Sequence, residues 1–246
     1  MLVLLPPSET KAAGGDGAPL DLDALSLPEL NPVRRKLADA LVELSADVPA
    51  SLTALGLSPR QSGEVERNAA LWTSPTMPAL HRYTGVLYDA LDAANFTAAQ
   101  ADRAAGRLAV ASALFGVVRA RDPIPAYRLS GGSTLPGLGT LRSVWRPVLE
   151  PALNTDELVV DLRSGAYAAL ARIPDAVTVR VVTEDASGAR KTVSHHNKAY
   201  KGRLAAALAT SRREPSTVDD VRSVAEDADM RMEQAGETEL VLVTDH

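Results

Sequence analysis

Four short apolar runs constrain the fold of this 246-residue chain more than any other feature of its sequence. Each run is shorter than the roughly 20 apolar residues that a membrane span needs, and no membrane association is expected. Each also has a length typical of a buried strand, and segments with helical spacing separate them. The runs are residues 2–5, 108–118, 158–162 and 240–243.

Local signals predict where helices and turns begin. Asn31-Pro32 and Ser58-Pro59 each combine an N-cap residue with proline at the first helical position. Thr217, with Asp220 three residues later, resembles a capping box. The other predicted elements are helices at residues 79–93, 140–149, 164–171 and 198–209, a short helix capped by Thr97, strands at 177–182 and 190–193 around a Ser187-Gly188 hairpin signal, and a flexible, poorly ordered loop at 14–19.

These elements predict a single compact domain over residues 1–246, of mixed α/β class, with a mixed-direction sheet and surrounding helices. No internal repeat and no linker rich in Gly, Pro or Ser divides the chain. The two terminal strands could both lie centrally in the sheet. The first residues lack a basic segment before the apolar run, which argues against a signal peptide and favours a cytoplasmic protein.

Composition excludes several classes of function. The chain has no cysteine, so disulfides, thiolate zinc sites, Fe–S clusters and cysteine peroxidases are excluded. The net charge of −5 does not suggest a nucleic-acid binder, but the charges are segregated. Residues 103–149 carry seven basic residues and one acid, residues 186–213 seven basic residues and no acid, and residues 215–246 nine acids and two bases. Basic patches on the surface are therefore compatible with the negative net charge of the protein.

Residues 112–132 form the segment that most suggests a site. Their apolar start predicts a buried strand, and the polar groups that follow are kept out of regular structure by proline and glycine. Guanidinium groups bind phosphate or carboxylate through paired hydrogen bonds, and a tyrosine can stack on a base or donate its hydroxyl. The alternative is an Arg–Asp ion pair that pins the loop over a packed tyrosine. The candidate residues are Arg119, Arg121, Asp122, Tyr127 and Arg128.

Two further segments are candidates. Residues 8–11 follow the first predicted strand, where α/β proteins tend to place ligands, and Glu9 and Lys11 could act as an acid/base pair. The alternative is a capped turn. On the predicted helix near the C-terminus, Lys198 and Lys201 share a face that suits phosphate, with Arg203 close by.

That helix has other interpretations. It could equally be an amphipathic helix with snorkelling lysines. His195 and His196 invite a metal site, but adjacent residues on a helix diverge by about 100°, so no metal ligand is predicted.

Four blocks of the sequence stand in the same order as the motifs of a known family. They are residues 4–11, 83–91, 114–129 and 194–202. The last three resemble an aromatic-x-Gly-x-Val-Tyr-x-Gly-Leu block, a Leu-Tyr-Gly-Val-Leu-Arg…Pro-Tyr-Arg-Leu block and a Ser-x-x-x-Lys-x-x-Arg-Gly block. These are blocks of the YaaA family, the peroxide stress proteins also described as UPF0246 or DUF328, which the chain therefore resembles. The first block resembles the signature of one branch of that family, where other members have a Ser-Pro-Ala-Lys-Thr type sequence.

Three positions depart from the family pattern. Ser130 stands where the family often has Glu after Tyr-Arg-Leu, and Ala90 replaces the second Gly of its block. Lys201 stands where Arg is frequent, which removes a planar group able to bind an anion through two hydrogen bonds.

The resemblance implies the YaaA-like ("cantaloupe") fold with a positively charged cleft. It also implies non-specific binding of double-stranded DNA and protection from peroxide by limiting iron-driven damage. A helix-hairpin-helix-like element is associated with DNA binding in the family. Two segments are candidates for it, residues 135–140 and residues 52–68.

Three functions follow as hypotheses. The first is a cytoplasmic peroxide-stress protein that binds DNA through a basic cleft. The second is an enzyme, of ligase or hydrolase type, that binds a nucleotide or a small carboxylate in the same cleft; its cofactors are unknown. The third is a non-catalytic iron-handling protein, which titration calorimetry with ferrous iron would test. The candidate binding residues are Lys11, Arg119, Arg121, Tyr127, Arg128, Lys198, Lys201 and Arg203, and the catalytic candidates are Glu9, Lys11 and Asp122.

Overall fold

A computed structural model describes residues 1–185, 187–191 and 194–245, without the side chains of residues 194–196 and 245. The strands are β1 (Leu2–Leu5), β2 (Gly17–Pro19), β3 (Pro75–Pro78), β4 (Leu108–Ser112), β5 (Gly116–Arg119), β6 (Pro123–Ile124), β7 (Thr134–Leu135), β8 (Gly139–Thr140), β9 (Val159–Asp161), β10 (Val177–Glu184), β11 (Arg190–Lys191), β12 (Arg231–Gln234) and β13 (Glu239–Asp245). The α-helices are α1 (Asn31–Leu44), α2 (Val48–Leu55), α3 (Ser62–Ala69), α4 (Ala79–Arg82), α5 (Val86–Leu91), α6 (Ala98–Arg107), α7 (Leu141–Ala152), α8 (Gly165–Ala168), α9 (Ser194–Thr210) and α10 (Val218–Glu226).

One large sheet organises the molecule. Its strand order is β12-β13-β10-β9-β1-β4-β5, and β11 pairs with β10. β1 pairs in parallel with both β9 and β4, whereas β4–β5, β12–β13 and β10–β11 are antiparallel. The predicted mixed α/β domain with a mixed sheet is therefore confirmed. β1 lies near the centre of the sheet, and β13 is one strand in from its edge.

The position of β1 follows from its sequence, because all four residues are apolar and all are buried. An uninterrupted apolar run of this kind is typical of a parallel strand covered on both faces. The parallel strands β1, β4 and β9 end at the same edge of the sheet. Ligands of α/β proteins tend to bind outside the carboxyl ends of such strands, so the loop after β1 emerges where a site is expected.

Residues 108–118, predicted as one strand, form the two antiparallel strands β4 and β5, so this prediction was wrong. At the turn, the Ser112 hydroxyl accepts a hydrogen bond from the Phe115 amide at 2.9 Å. Gly116 completes the reversal with a φ of 73°, a conformation that favours glycine. As a result, Arg119 lies at the opposite end of β4 from Ser112.

A fully buried arginine holds this turn in place. The Arg34 guanidinium on α1 donates to the carbonyl oxygens of Phe115 at 3.0 Å and Val117 at 2.8 Å. Burial lowers the pKa of Arg34 to about 10, and the charge of Asp122 partly opposes this shift. The helix α1 and the β4–β5 turn are thereby linked by buried polar bonds, which are expensive to leave unmade.

Two other element predictions were wrong. The helix predicted over residues 79–93 is interrupted after Arg82, and Gly85 precedes α5 with a φ of 101°. Residues 17–19, predicted as part of a flexible loop, form β2 and pair with β3. In addition, Asn31 lies inside α1 rather than at its cap, and its side-chain amide donates to the carbonyl oxygen of Leu22 at 3.0 Å.

The remaining predicted elements are present, with shifted bounds. Thr97 and Thr217 cap α6 and α10 through capping boxes, and the Ser187-Gly188 signal joins β10 to β11. Residues 192–193, predicted to extend the second strand of that hairpin, lie outside the described residues. In the described part of the chain, no helix is long and apolar enough to cross a membrane.

Helix α9 packs very closely on α5 because Gly202 has no side chain. A Cβ at Gly202 would lie 2.2 Å from the carbonyl oxygen of Leu87 and 2.9 Å from the Cβ of Ala90. Ala90 itself departs from the family pattern, and its single methyl group fits this contact. The close packing sets the position of α9 against α5, with Lys201 near the carboxyl end of β9.

We expect Gly202→Ala to destabilise the fold, because the added methyl group must push two helix backbones apart. Overpacking of this kind typically costs about 1–3 kcal/mol of unfolding free energy. Gly63→Ala is the matched control, since a Cβ at this helical glycine meets nothing within 4 Å. It should stabilise the protein by up to about 1 kcal/mol. Urea unfolding of both variants measures the difference, and equal effects would contradict the packing argument.

Candidate functional site

The loop after β1 turns back toward the sheet and is held there by backbone hydrogen bonds. Lys11 forms an isolated antiparallel bridge with Tyr83. On either side of it, the Thr84 amide donates to the carbonyl oxygen of Thr10 at 3.3 Å, and the Ala12 amide donates to that of Arg82 at 2.8 Å. The interruption between α4 and α5, missed from the sequence, is therefore what receives this loop.

Lys11 points inward from this bridge and is only 9% exposed. Its Nζ donates to the carbonyl oxygens of Ser8 at 3.1 Å and Glu9 at 3.5 Å. It also lies 4.2 Å from the ring centroid of Tyr127 and 5.4 Å from that of Tyr83. Burial lowers the pKa of Lys11 to about 8, and the charge of Glu9 opposes part of this shift. The amine is therefore much closer to neutrality at physiological pH than an ordinary lysine.

Below Lys11, three hydroxyl groups form a buried chain. The Tyr127 hydroxyl shares hydrogen bonds with the Ser112 hydroxyl at 2.7 Å and with the Tyr83 hydroxyl at 2.9 Å. Burial raises the pKa of Tyr83 to about 12 and the pKa of Tyr127 well above its ordinary value. Both tyrosines therefore remain neutral, and their rings present apolar faces to Lys11.

Glu9 and Arg128 form the side wall of the site. The Arg128 Nε lies 3.5 Å from Glu9 Oε2, and its Nη1 donates to the Glu9 carbonyl oxygen at 3.4 Å. The same carbonyl oxygen accepts from Lys11, so the two cationic groups share one acceptor atom. The backbone of Arg128 is fixed by Asn68, which donates to its carbonyl oxygen at 2.9 Å and accepts from its amide at 2.7 Å.

Ser130, a departure from the family pattern, is part of this wall. Its hydroxyl donates to Glu9 Oε1 at 2.9 Å. The next residue, Gly131, donates its amide to the Tyr167 hydroxyl at 3.1 Å. Burial raises the pKa of Tyr167, so its hydroxyl stays protonated.

Four residues of the site were missed by sequence reasoning. Asn68 and Tyr167 gave no local signal, because each lies on a helix that is distant in the sequence from the loop that it contacts. Tyr83 is the first residue of the family block 83–91, and Ser112 is the first residue of the segment 112–132. Both positions therefore carried a signal in the sequence. The missed residues are Asn68, Tyr83, Ser112 and Tyr167.

The cations of α9 are near the same edge of the sheet but do not join this cluster. Lys201 donates from Nζ to the carbonyl oxygen of Leu162, just after β9, at 3.2 Å, and burial lowers its pKa. Lys198 is exposed, and the Arg203 guanidinium lies 5.3 Å from the ring centroid of Tyr200. The charged groups that shift the pKa of Lys11 are Glu9, Arg128, Glu64 and Arg67, which do not include these cations, so their role stays a prediction.

Arg119, Arg121 and Asp122 lie at the other end of β4. The Asp122 carboxylate accepts hydrogen bonds from the hydroxyl of Ser26 at 2.7 Å and the amide of Arg119 at 2.9 Å, and it is buried. Arg121 pairs with Asp102 on α6. These contacts hold the loop, but the alternative interpretation is met only in part, because Arg121 pairs with Asp102 outside the loop and Tyr127 lies beside Lys11. The structure therefore does not bring these three residues together with Tyr127 and Arg128.

The helix-hairpin-helix candidates differ in outcome. Residues 135–140 contain the end of the β7–β8 hairpin before α7, so no helix precedes that turn. In residues 52–68, by contrast, α2 ends at Leu55, Gly56 caps it in a left-handed conformation, and α3 follows after a 3₁₀ turn at Pro59–Gln61. The side chains of His195 and His196 lie outside the described residues. Elsewhere in the described part, no group of three or more His, Asp or Glu side chains could hold a metal ion.

Comparisons with known proteins identify relatives over nearly the whole chain. The family described as "Peroxide stress protein YaaA" matches residues 1–234. A UPF0246 protein of Corynebacterium efficiens is 52% identical over 238 residues, covering 95% of both chains. A UPF0246 protein of Streptomyces coelicolor is 51% identical over 214 residues, covering 85% of this chain and 82% of the relative.

The burial of Lys11 predicts a specific pH dependence of stability. Its pKa rises from about 8 in the folded state to 10.5 on unfolding. Between these values the unfolded state binds the extra proton, so the free energy of unfolding increases with pH. Relative to Lys11→Met, the wild-type protein should gain about 3 kcal/mol of unfolding free energy across this window, at about 1.4 kcal/mol per pKa unit.

Urea unfolding followed by circular dichroism at a series of pH values would measure this difference. Lys36→Met is the control, since it removes the same side-chain charge from an exposed position on α1 outside the site. A wild-type minus Lys11→Met difference that is constant with pH would contradict the lowered pKa.

Proposed function

Because the chain belongs to the peroxide stress protein YaaA family, UPF0246, we propose that it acts in the response to peroxide through a site that binds a small anionic ligand. One observation carries the proposal of a ligand site. The Lys11 amine and the Arg128 guanidinium share the Glu9 carbonyl oxygen as acceptor, at the carboxyl end of the central strand. A buried cation with a lowered pKa, such as Lys11 in this position, is typical of functional sites.

The charges around Lys11 leave room for an anion. The charges of Arg128 and Arg67 disfavour the protonated form of Lys11 and lower its pKa, whereas those of Glu9 and Glu64 favour that form and raise the pKa. Glu64 already pairs with Arg67 at 2.8 Å. Glu9 must therefore balance both Lys11 and Arg128, which leaves a net positive charge in this group. A carboxylate or phosphate would supply the second negative charge, and partial burial strengthens the attraction.

The size of the site favours a small ligand. Lys11 is nearly buried, and the Arg128 side chain is 19% exposed, so only a narrow part of each cation is accessible. A small carboxylate or a terminal phosphate of a nucleotide can reach both groups. This interpretation supports an enzyme that acts on such a ligand.

A panel of sodium salts tests the anion site. We expect phosphate and small carboxylates to raise the melting temperature of the wild-type protein relative to chloride at equal ionic strength, because a ligand that binds the folded state stabilises it. Arg128→Lys should reduce the shift, since lysine lacks the planar group that binds an anion through two hydrogen bonds. Arg142→Lys, at an exposed position on α7, should keep it. The absence of a shift with every salt would refute the proposal.

A second proposal is non-specific DNA binding, in line with the family resemblance. The observation that favours it is the α2–Gly56–α3 helix pair, which has the order of a helix-hairpin-helix element. However, the amides of Gly56, Leu57 and Ser58 already donate to Thr53, Leu52 and Gln61. Phosphate contacts would therefore depend on side chains such as the exposed Arg60. A role in limiting iron-driven damage is likewise proposed from the family resemblance.

Electrophoretic mobility shifts with duplex DNA test this second proposal. Binding should weaken steeply as salt increases, because each phosphate contact releases counterions. Arg60→Ala should weaken binding and flatten the salt dependence, whereas Arg222→Ala, on the acidic helix α10, should change neither. Equal behaviour of the two variants would rule out the helix pair as the contact.

A further inference from the structure

We propose that Lys11 is a nucleophile that forms an imine with a small carbonyl compound bearing a carboxylate, of the 2-oxo acid class. This inference rests on the proposed anion site and names its substrate class. In it, Arg128 binds the carboxylate and Lys11 attacks the adjacent carbonyl carbon. Lys11 would then be a catalytic residue, because it bonds to the reacting atom.

The hydrogen bonds of Lys11 suit a neutral amine. A neutral amine has two N–H groups, and two backbone carbonyl oxygens, of Ser8 and Glu9, are available to accept them. No carboxylate is hydrogen-bonded to Nζ among the described residues. The nitrogen lone pair is then left for an incoming carbon atom. With the pKa near 8, roughly a tenth of the molecules carry a neutral Lys11 at pH 7.

The spacing of the two cations fits a 2-oxo acid. Lys11 Nζ and Arg128 Nη1 donate to the same oxygen atom, so they lie close enough to contact adjacent groups of one small molecule. In a 2-oxo acid the carboxylate and the carbonyl carbon are directly bonded. Arg128 can therefore hold the carboxylate while the carbonyl carbon faces Nζ, an arrangement that lowers the entropic cost of the attack.

Glu9 can move the protons that the reaction requires. Its Oε2 is buried and accepts no hydrogen bond from the described residues, although it lies 3.5 Å from Arg128 Nε. In the reaction, Nζ bonds to the carbonyl carbon as the C=O π bond breaks, and the carbonyl oxygen takes up one proton from solvent to give a carbinolamine. Glu9 removes a proton from Nζ and returns it to the hydroxyl group, which leaves as water. The products are one protonated imine and one water molecule, with no oxidant or reductant consumed.

The tyrosine rings favour the product of this step. The protonated imine keeps a positive charge on the nitrogen, which lies 4.2 Å from the centroid of the Tyr127 ring before reaction. The face of an aromatic ring attracts a cation, and more strongly where water is excluded. Because Tyr83 and Tyr127 remain neutral, they do not compete with Lys11 as nucleophiles.

Reductive trapping tests the proposal directly. The intact protein is incubated with pyruvate and sodium cyanoborohydride, which reduces an imine to a stable secondary amine, and the labelled peptide is identified by mass spectrometry. We expect label at Lys11 in preference to the other four lysines, residues 36, 191, 198 and 201. Labelling should increase with pH up to about 8, as Lys11 becomes neutral.

Variants separate a specific site from general reactivity. Lys11→Arg keeps a cation but cannot form the imine, so its label should be lost. Arg128→Lys should reduce labelling by pyruvate but not by acetone, which has no carboxylate. Lys36→Arg should be labelled at Lys11 like the wild type. No label at Lys11, or label spread evenly over all lysines, would overturn the imine.

Lactate distinguishes this inference from the proposed function, because it has the carboxylate of pyruvate but no carbonyl group. If lactate raises the melting temperature and pyruvate leaves no label, the anion site stands and the imine is wrong. If neither compound raises the melting temperature and no label forms, both proposals fail.

Discussion

The burial of a single ammonium group, that of Lys11, is the constraint on which the site depends. A buried cation is costly unless a carboxylate and hydrogen bonds compensate it. Arg163 shows the fully compensated case, because its Nε and Nη2 donate to both carboxylate oxygens of Asp161 at 2.9 and 2.8 Å. Lys11 instead has two backbone carbonyl oxygens and an aromatic face. Its charge is only partly stabilised, and this leaves the amine available for chemistry.

The position of the Tyr127 ring beside Lys11 depends on the reversal of the chain between β4 and β5. Ser112 both closes that turn, by accepting from the Phe115 amide, and orients Tyr127 through its hydroxyl. Arg34 fixes the turn from α1 by donating to two of its carbonyl oxygens. A change in the packing of α1 would therefore reach Lys11 through the turn and the ring of Tyr127. The buried hydrogen bonds that hold the β4–β5 turn therefore also position the ring of Tyr127 beside Lys11.

The sequence predicts the parts of this molecule that depend on local patterns. The apolar run of β1, the Thr97 cap of α6 and the capping box of α10 were identified because each is encoded within a few residues. The β4–β5 reversal was missed because Ala113, Leu114 and Phe115 continue the apolar run and carry no turn residue before Gly116. Because of that error, Arg119 and Arg128 were expected in one loop, whereas they lie near opposite ends of β4. Contacts such as Asn68 to Arg128 depend on tertiary packing, which no local pattern contains.

The departure from the family pattern at Ser130 acts on the carboxylate beside Lys11. The Ser130 hydroxyl, where the family often has Glu, donates to Glu9 Oε1 at 2.9 Å. A neutral hydroxyl adds no charge at this position, so Glu9 is the carboxylate that acts on both Lys11 and Arg128. Burial is the largest cause of the lowered pKa of Lys11, and the charge of Glu9 opposes only part of that shift. The amine therefore lies against the ring of Tyr127 with its charge only partly compensated.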